Sequence, residues 1–146
     1  YTGSKDQDTT KRTIKLIFLW GTGLGILFTL IFLLFGKSII GIYTDNTELV
    51  ELTMYFIAWT IIAPVINSIC YIWDGIYLGA TASGAMRNST FVASIAVFLP
   101  TYYLTINTLG NHGLWLAMTL FMITRGLTLT LMAKKHIFDP IHDSTD

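Results

Sequence analysis

The sequence predicts an all-α integral membrane fold with four transmembrane helices, and three observations predict it: composition, long uncharged stretches, and the side on which basic residues fall. Of its 146 residues 53% are hydrophobic and only 12% charged, with mean hydropathy +0.60. An ordinary soluble domain carries about 25% charged residues. No Lys, Arg, Asp or Glu occurs between Leu16 and Gly36, between Leu52 and Trp73, or from Asn88 to Thr124. Each stretch reaches the roughly 20 residues that a spanning helix needs, and the third is long enough for two. Positive flanks stay cytoplasmic. If four helices alternate, Lys5, Lys11, Arg12, Lys15, Arg87, Lys134 and Lys135 share one side and only Lys37 the other. Both ends of the segment are therefore expected in the cytoplasm, with the chain a multi-pass protein of the cell (inner) membrane.

Taken in order, 1–13 reads as a cytoplasmic loop. The first helix is expected at 14–36, with Trp20 near an interface and Gly21 and Gly25 at a spacing that lets helices approach closely. An extracytoplasmic connector follows at 37–46, where Ile39, Ile40, Ile42 and Tyr43 suit an interfacial turn. Thr44, Asp45, Asn46 and Thr47 all offer N-cap side chains, and Glu48 and Glu51 fall where carboxylates oppose the positive helix end. A long helix at 47–81 is expected to bend at Pro64. After a cytoplasmic turn at 82–89 comes the third span, 90–106, containing Pro100 and ending in an aromatic belt at Tyr102 and Tyr103. Residues 107–113 read as the outer turn, and 114–133 as the fourth span, with Trp115 at the interface. Lys134, Lys135 and His136 stop it, and 134–146 reads as a cytoplasmic tail, frayed from Asp139-Pro140 onward.

Several chemistries are excluded at this level. Zero net charge leaves no basic surface for nucleic acid. The lone Cys70 excludes an internal disulfide framework and a four-Cys metal site. His112, His136 and His142 have no partners at metal spacing and read as surface residues. No HExxH, Walker A or GxSxG motif occurs, so neither an enzyme nor a cofactor is expected. Asn88-Ser89-Thr90 matches a glycosylation sequon on the expected cytoplasmic side and reads as accidental. The chain begins at Tyr1, and residues 2–8 read as a polar loop rather than a signal peptide, so a piece of a longer protein is expected.

Chemistry concentrates on the second span. Thr60, Asn67 and Asp74 recur every seven residues, Tyr71 lies between the last two, and Tyr77 continues one turn on. Such a stripe faces protein or water rather than lipid. A carboxylate at mid-bilayer costs about 2.5 to 3.5 kcal/mol. A span starting at Leu52 sets Asp74 about 33 Å along, near the headgroups, whereas one starting near Trp59 sets it inside. The stripe favours the interior. There Asp74 could bind a cation directly or hold a proton, because desolvation penalises the charged form. Asn67 and the Tyr71 hydroxyl could complete oxygen ligation of a hard monovalent ion; the same polar face could instead bond a neighbouring helix. Arg125 lies about 17 Å into the fourth span and needs a partner, for which Asp74 is a candidate at similar depth. Gly75, Gly79 and Gly84 would let the helix unwind beside the carboxylate, as transporters do near their sites, or would serve tight packing.

Trp73-Asp74-Gly75-Ile76-Tyr77-Leu78-Gly79-Ala80, followed by Met86-Arg87-Asn88, resembles the multidrug and toxic compound extrusion (MATE) family, nearest its DinF-like branch. Asn111-His112-Gly113-Leu114-Trp115-Leu116-Ala117 is similar to the same branch, and Thr2-Gly3-Ser4-Lys5 resembles the loop before its ninth helix. The resemblance implies that the four spans are helices nine to twelve of a twelve-helix, two-lobe bundle, without its amino-terminal helices. It implies an antiporter that exchanges protons or sodium for small organic compounds, often cationic, across the lipid bilayer. Asp74 matches an acidic position that contributes to cation binding in some members. Cys70 stands where some sodium-coupled members have tyrosine, and Tyr71 is one position off, which leaves the coupling ion open. Two other readings compete: a lipid-linked oligosaccharide flippase of the same superfamily, and a non-transporting four-helix membrane scaffold in which Asp74 and Arg125 bridge helices.

Overall fold

The computed structural model describes residues 7–138, which are helical except for short joints and contain no strand. In chain order the helices are α1 (Gln7–Tyr43), α2 (Thr47–Tyr55), α3 (Ile57–Gly79), α4 (Ser83–Val92), α5 (Leu99–Leu109) and α6 (Asn111–Ala133). π-helical segments, Ala93–Phe98 and Lys134–Phe138, join α4 to α5 and extend α6. Four helical stretches, Asp8–Tyr43, Ile57–Gly79, Ser83–Leu109 and Asn111–Phe138, are long and apolar enough to cross a membrane.

Every span differs in its bounds from the sequence expectation. The first helix begins by Gln7 and continues through the expected connector to Tyr43, because 37–43 holds no Pro and its single Gly41 costs a helix interior only about 1 kcal/mol. Asn46 caps α2: its Oδ1 accepts the Glu48 and Leu49 backbone N–H groups at 3.0 and 3.3 Å. The long second helix is interrupted at Phe56 (φ −100°, ψ 1°), where neither Gly nor Pro stands. Pro64 lies within a continuous α3. Its ring removes the N–H that Thr60 O would accept, and the Thr29 hydroxyl of α1 donates to the adjacent Ile61 carbonyl at 2.8 Å. The turn expected at 82–89 reduces to 80–82, and that at 107–113 to Gly110 (φ 55°). Lys134 does not stop α6, since the chain stays helical to Phe138 and Ile137 is buried. The readings for Thr2-Gly3-Ser4-Lys5, the Asp139-Pro140 fraying and His142 fall outside the described residues.

Helix α3 is the centre of the bundle, packed on α1 along one side and on α6 along the other. Glycines set the approach to α1. A Cβ at Gly25 would lie 3.0 Å from the Pro64 carbonyl oxygen, and one at Gly21 would meet the Ile72 side chain. Gly75, Gly79 and Gly84 open on nothing within 4 Å, and α3 stays helical to Gly79, so these three neither unwind the helix at Asp74 nor pack it tightly. The buried core gathers at one end, where Trp73 and Tyr77 of α3 meet Ala85 of α4 and Leu129, Ala133 and Ile137 of α6 and its extension. Phe18 of α1 packs edge-on against Trp73, ring centroids 5.1 Å apart. Tyr77 is fully buried and donates its hydroxyl to the Leu129 carbonyl at 2.7 Å. The outer faces carry Leu19, Trp20, Leu34 and many other apolar side chains in the open, as a hydrocarbon surround or further helices allow.

Two substitutions test this packing. A Cβ on Gly113 would come within 2.9 Å of the Thr105 backbone carbon and oxygen, while one on Gly23 would meet nothing within 4 Å. In detergent-solubilised protein, Gly113→Ala should destabilise by about 1 to 3 kcal/mol, whereas Gly23→Ala should raise the thermal midpoint by improving helix propensity. Thr81 holds a left-handed φ of 56° at the α3–α4 joint. A β-branched residue there is strained by about 1 to 2 kcal/mol, so Thr81→Gly is expected to raise the same midpoint.

Candidate functional site

Two side chains fix the register of α6 against its neighbours. The Tyr77 hydroxyl of α3 donates to the Leu129 carbonyl at 2.7 Å, and Ser89 of α4 bonds the Thr128 hydroxyl at 2.6 Å. One turn before Tyr77 on α3 lies Asp74, and one turn before Leu129 on α6 lies Arg125, so the same register that seats Tyr77 brings the two charges together. Arg125 Nη2 donates to both Asp74 carboxylate oxygens, at 2.7 and 2.8 Å. The two side chains are 14% and 16% exposed. Asp74 lies about 7 to 8 Å from the C-terminal end of α3, and Arg125 sits near the middle of the helix that runs from Asn111 to Phe138.

The pair is unevenly satisfied. Both oxygens converge on one guanidinium nitrogen, while Arg125 Nε is buried with no hydrogen-bond partner among the described residues. A fork-to-fork arrangement would use two nitrogens. The Arg125 guanidinium carbon lies 5.9 Å from the centre of the Phe121 ring, within reach of a cation–π attraction. Phe121 is itself packed edge-on by Phe98 from the π-helical segment, centroids 6.3 Å apart.

Arg125 forms part of the wall of a cleft of about 280 Å³ between α3 and α6. Asn67 and Tyr71 line the same cleft, together with Trp59, Trp115 and Met118. Neither Asn67 nor Tyr71 is hydrogen-bonded to Asp74 among the described residues, and Tyr71 is 60% exposed. Thr60 faces the other way, with Asn67 and Tyr71 in a groove shared with Gly21 and Gly25 of α1. The structure thus joins Asp74 to Arg125 and leaves Asn67 and Tyr71 as lining. Sequence reasoning missed the aromatic and methionine walls. Their signal was present: Trp115, Met118, Thr119, Met122 and Arg125 recur at helical spacing on one face of α6.

His112 is not the surface residue expected from the sequence. Its Nδ1 accepts the Trp59 indole N–H at 2.9 Å. The rings of Tyr55 and Phe56 stand 4.8 and 4.6 Å from its own. This aromatic cluster ties the start of α6 to the α2–α3 break at the end of the cleft where Trp59 stands.

The family model described as MatE matches residues 1–104, a span that includes Asp74 and stops before Arg125. A curated relative, DNA damage-inducible protein F of Escherichia coli, is 40% identical over 111 residues, which is 76% of this chain and 24% of the relative. The chain spans about a quarter of that relative's length. No solved structure matches the chain.

Trp59→Phe deletes the donor and leaves His112 Nδ1 an unpaired acceptor, at an expected cost of about 1 to 2 kcal/mol read as a lower thermal midpoint. Adding His112→Phe removes the orphaned partner and should recover part of that loss.

Proposed function

The chain belongs to the MatE family, and from that premise we propose that it is part of a secondary active efflux transporter, with Asp74 a residue that couples inward flow of protons or sodium to export of organic compounds. The observation that carries the reading is a nearly buried carboxylate, in a helix apolar enough to span a membrane, beside a cleft with aromatic and thioether walls. A carboxylate in that setting is costly unless a cation neutralises it. A coupling ion acts by being such a cation on one part of the cycle and absent on another. The walls suit the other half of the exchange: indole and phenyl faces attract organic cations, and Met118 and Met122 adapt to varied shapes.

The basic flanks Lys11, Arg12, Lys15, Arg87, Lys134 and Lys135 support an orientation with both ends of the segment in the cytoplasm. A flippase for pyrophosphate-linked sugars would need cations free to meet the anion. Among the described residues lining the cleft, Arg125 is the one cation, and Asp74 neutralises it.

In the full-length protein reconstituted in liposomes, Asp74→Asn should reduce ion-coupled export of an organic cation at least tenfold while leaving expression and membrane insertion intact. Undiminished coupled export by that variant removes Asp74 from the mechanism.

A further inference from the structure

We infer that Arg125 is a tethered competitor of the coupling cation: it holds Asp74 while the site is empty, and a bound cation displaces it into the cleft. This rests on the reading of Asp74 as the coupling residue and goes further by assigning Arg125 a role in the exchange itself.

Geometry is the first support. Arg125 reaches both Asp74 oxygens through a single nitrogen, as one compact cation sitting between them would. A pair built only to bridge helices gains most from using Nε and Nη2 together, yet here Nε is buried and unpartnered. Each unsatisfied buried group has a cost that the fold must offset.

Space is the second support. The guanidinium that leaves Asp74 has somewhere to go, because Arg125 already borders the cleft, Phe121 turns a ring face to it, and Trp115 lines the same cleft. Asn67 stands on the facing α3 wall as a neutral hydrogen-bond acceptor. Among the described residues no other charge is paired with the carboxylate. Lys15 of α1 and Arg87 of α4 are exposed, and no ion pair joins either to Asp74 among the described residues. Cys70 and Tyr71 of α3 and Tyr77 one turn on are the neighbouring titratable groups, and Tyr77 is already bonded to Leu129.

The consequence is an exchange rule. With Arg125 on Asp74 the cleft wall is electrically neutral and accepts an organic cation. With a proton or sodium ion on Asp74, the freed guanidinium presents a positive charge to the cleft and repels that cation. The two cargoes then exclude each other without touching, and the coupling is reciprocal, as linkage requires.

The test is the half-saturating concentration of coupling cation for export by the full-length transporter in liposomes. One arm varies pH without sodium and the other varies sodium at fixed pH. Arg125→Gln removes the competitor, so in the arm that drives export half-saturation should fall at least tenfold. The maximal rate should fall with it, because nothing displaces the cation again. Arg125→Lys keeps a cation on a flexible stem and should return half-saturation to within about threefold of the unsubstituted protein. If Arg125→Gln leaves half-saturation unchanged or raises it, Arg125 is a structural partner and the inference is overturned, while loss of coupled export in Asp74→Asn would still uphold the coupling reading. If Asp74→Asn exports normally, it is the coupling reading that fails. Should Arg125→Gln not fold, the unsubstituted protein answers: coupling cation should produce a saturable change in tryptophan emission that Trp115→Phe at least halves. Absence of that change overturns the inference.

Discussion

Hydrocarbon offers no water to a backbone N–H or C=O, so each must find its partner within the helices. The rest of the structure is arranged around keeping that ladder intact where residues disturb it. At Pro64 a carbonyl loses its donor, and a hydroxyl from α1 bonds the next carbonyl along. At Pro100 the disturbance is taken up by the π-helical segment immediately before it, whose wider turn makes room for the ring. At Phe56 the chain changes helix through two tighter i to i−3 bonds, the Phe56 N–H reaching Thr53 O at 3.0 Å and the Trp59 N–H reaching Phe56 O at 3.1 Å. Each repair also positions something. The first binds α1 to α3, the second sets Phe98 against Phe121, and the third turns Trp59 toward His112.

Because the ladder is closed, side chains are free to decide how helices meet. Small residues allow approach at Gly25 and Gly113, and hydroxyls then lock the register of α6 at Thr128 and Leu129. An i, i+3 pair on α3, Asp74 and Tyr77, faces an i, i+4 pair on α6, Arg125 and Leu129. The ion pair is therefore not an isolated contact. It lies one turn from a buried hydroxyl bond that holds the backbone of α6 still while the Arg125 side chain remains adjacent to open volume.

What could be read from the residues follows from what makes a periodic contrast. Three uncharged stretches, a polar stripe on the second of them and two charges at similar depth are visible because charge is rare in such a sequence. The Gly21 and Gly25 spacing likewise signals a close approach, and α3 supplies the partner surface. Helix ends were less legible. Gly113 and its Asn neighbours carry the composition of a turn, but Gly113 is needed for contact with Thr105, and Gly110 alone makes the turn. The joint at Thr81 falls on a β-branched residue although Gly79 stands two positions away. No local rule favours Phe56 as a break; it depends on the aromatic cluster assembled with a residue 56 positions later. The cleft walls were harder to read for a related reason: the Trp115, Met118 and Met122 spacing marks a face of α6, but apolar residues on every side of a membrane helix weaken the contrast by which that face stands out.

The charge pair itself argues for more than cohesion. A buried ion pair replaced by apolar side chains of similar volume is often no less stable, because desolvating both charges costs about as much as their attraction returns. Holding α3 to α6 does not require one: Tyr77, Leu129 and the surrounding core already do so. A pair that contributes little to cohesion, leaves one of its donors unpaired and borders the cleft between its two helices is poorly explained as a bridge. It is better explained as a neutral resting state of two charges that part company when a third arrives. In that arrangement the cost of desolvating Asp74 is never met alone, since one cation leaves only as another takes its place.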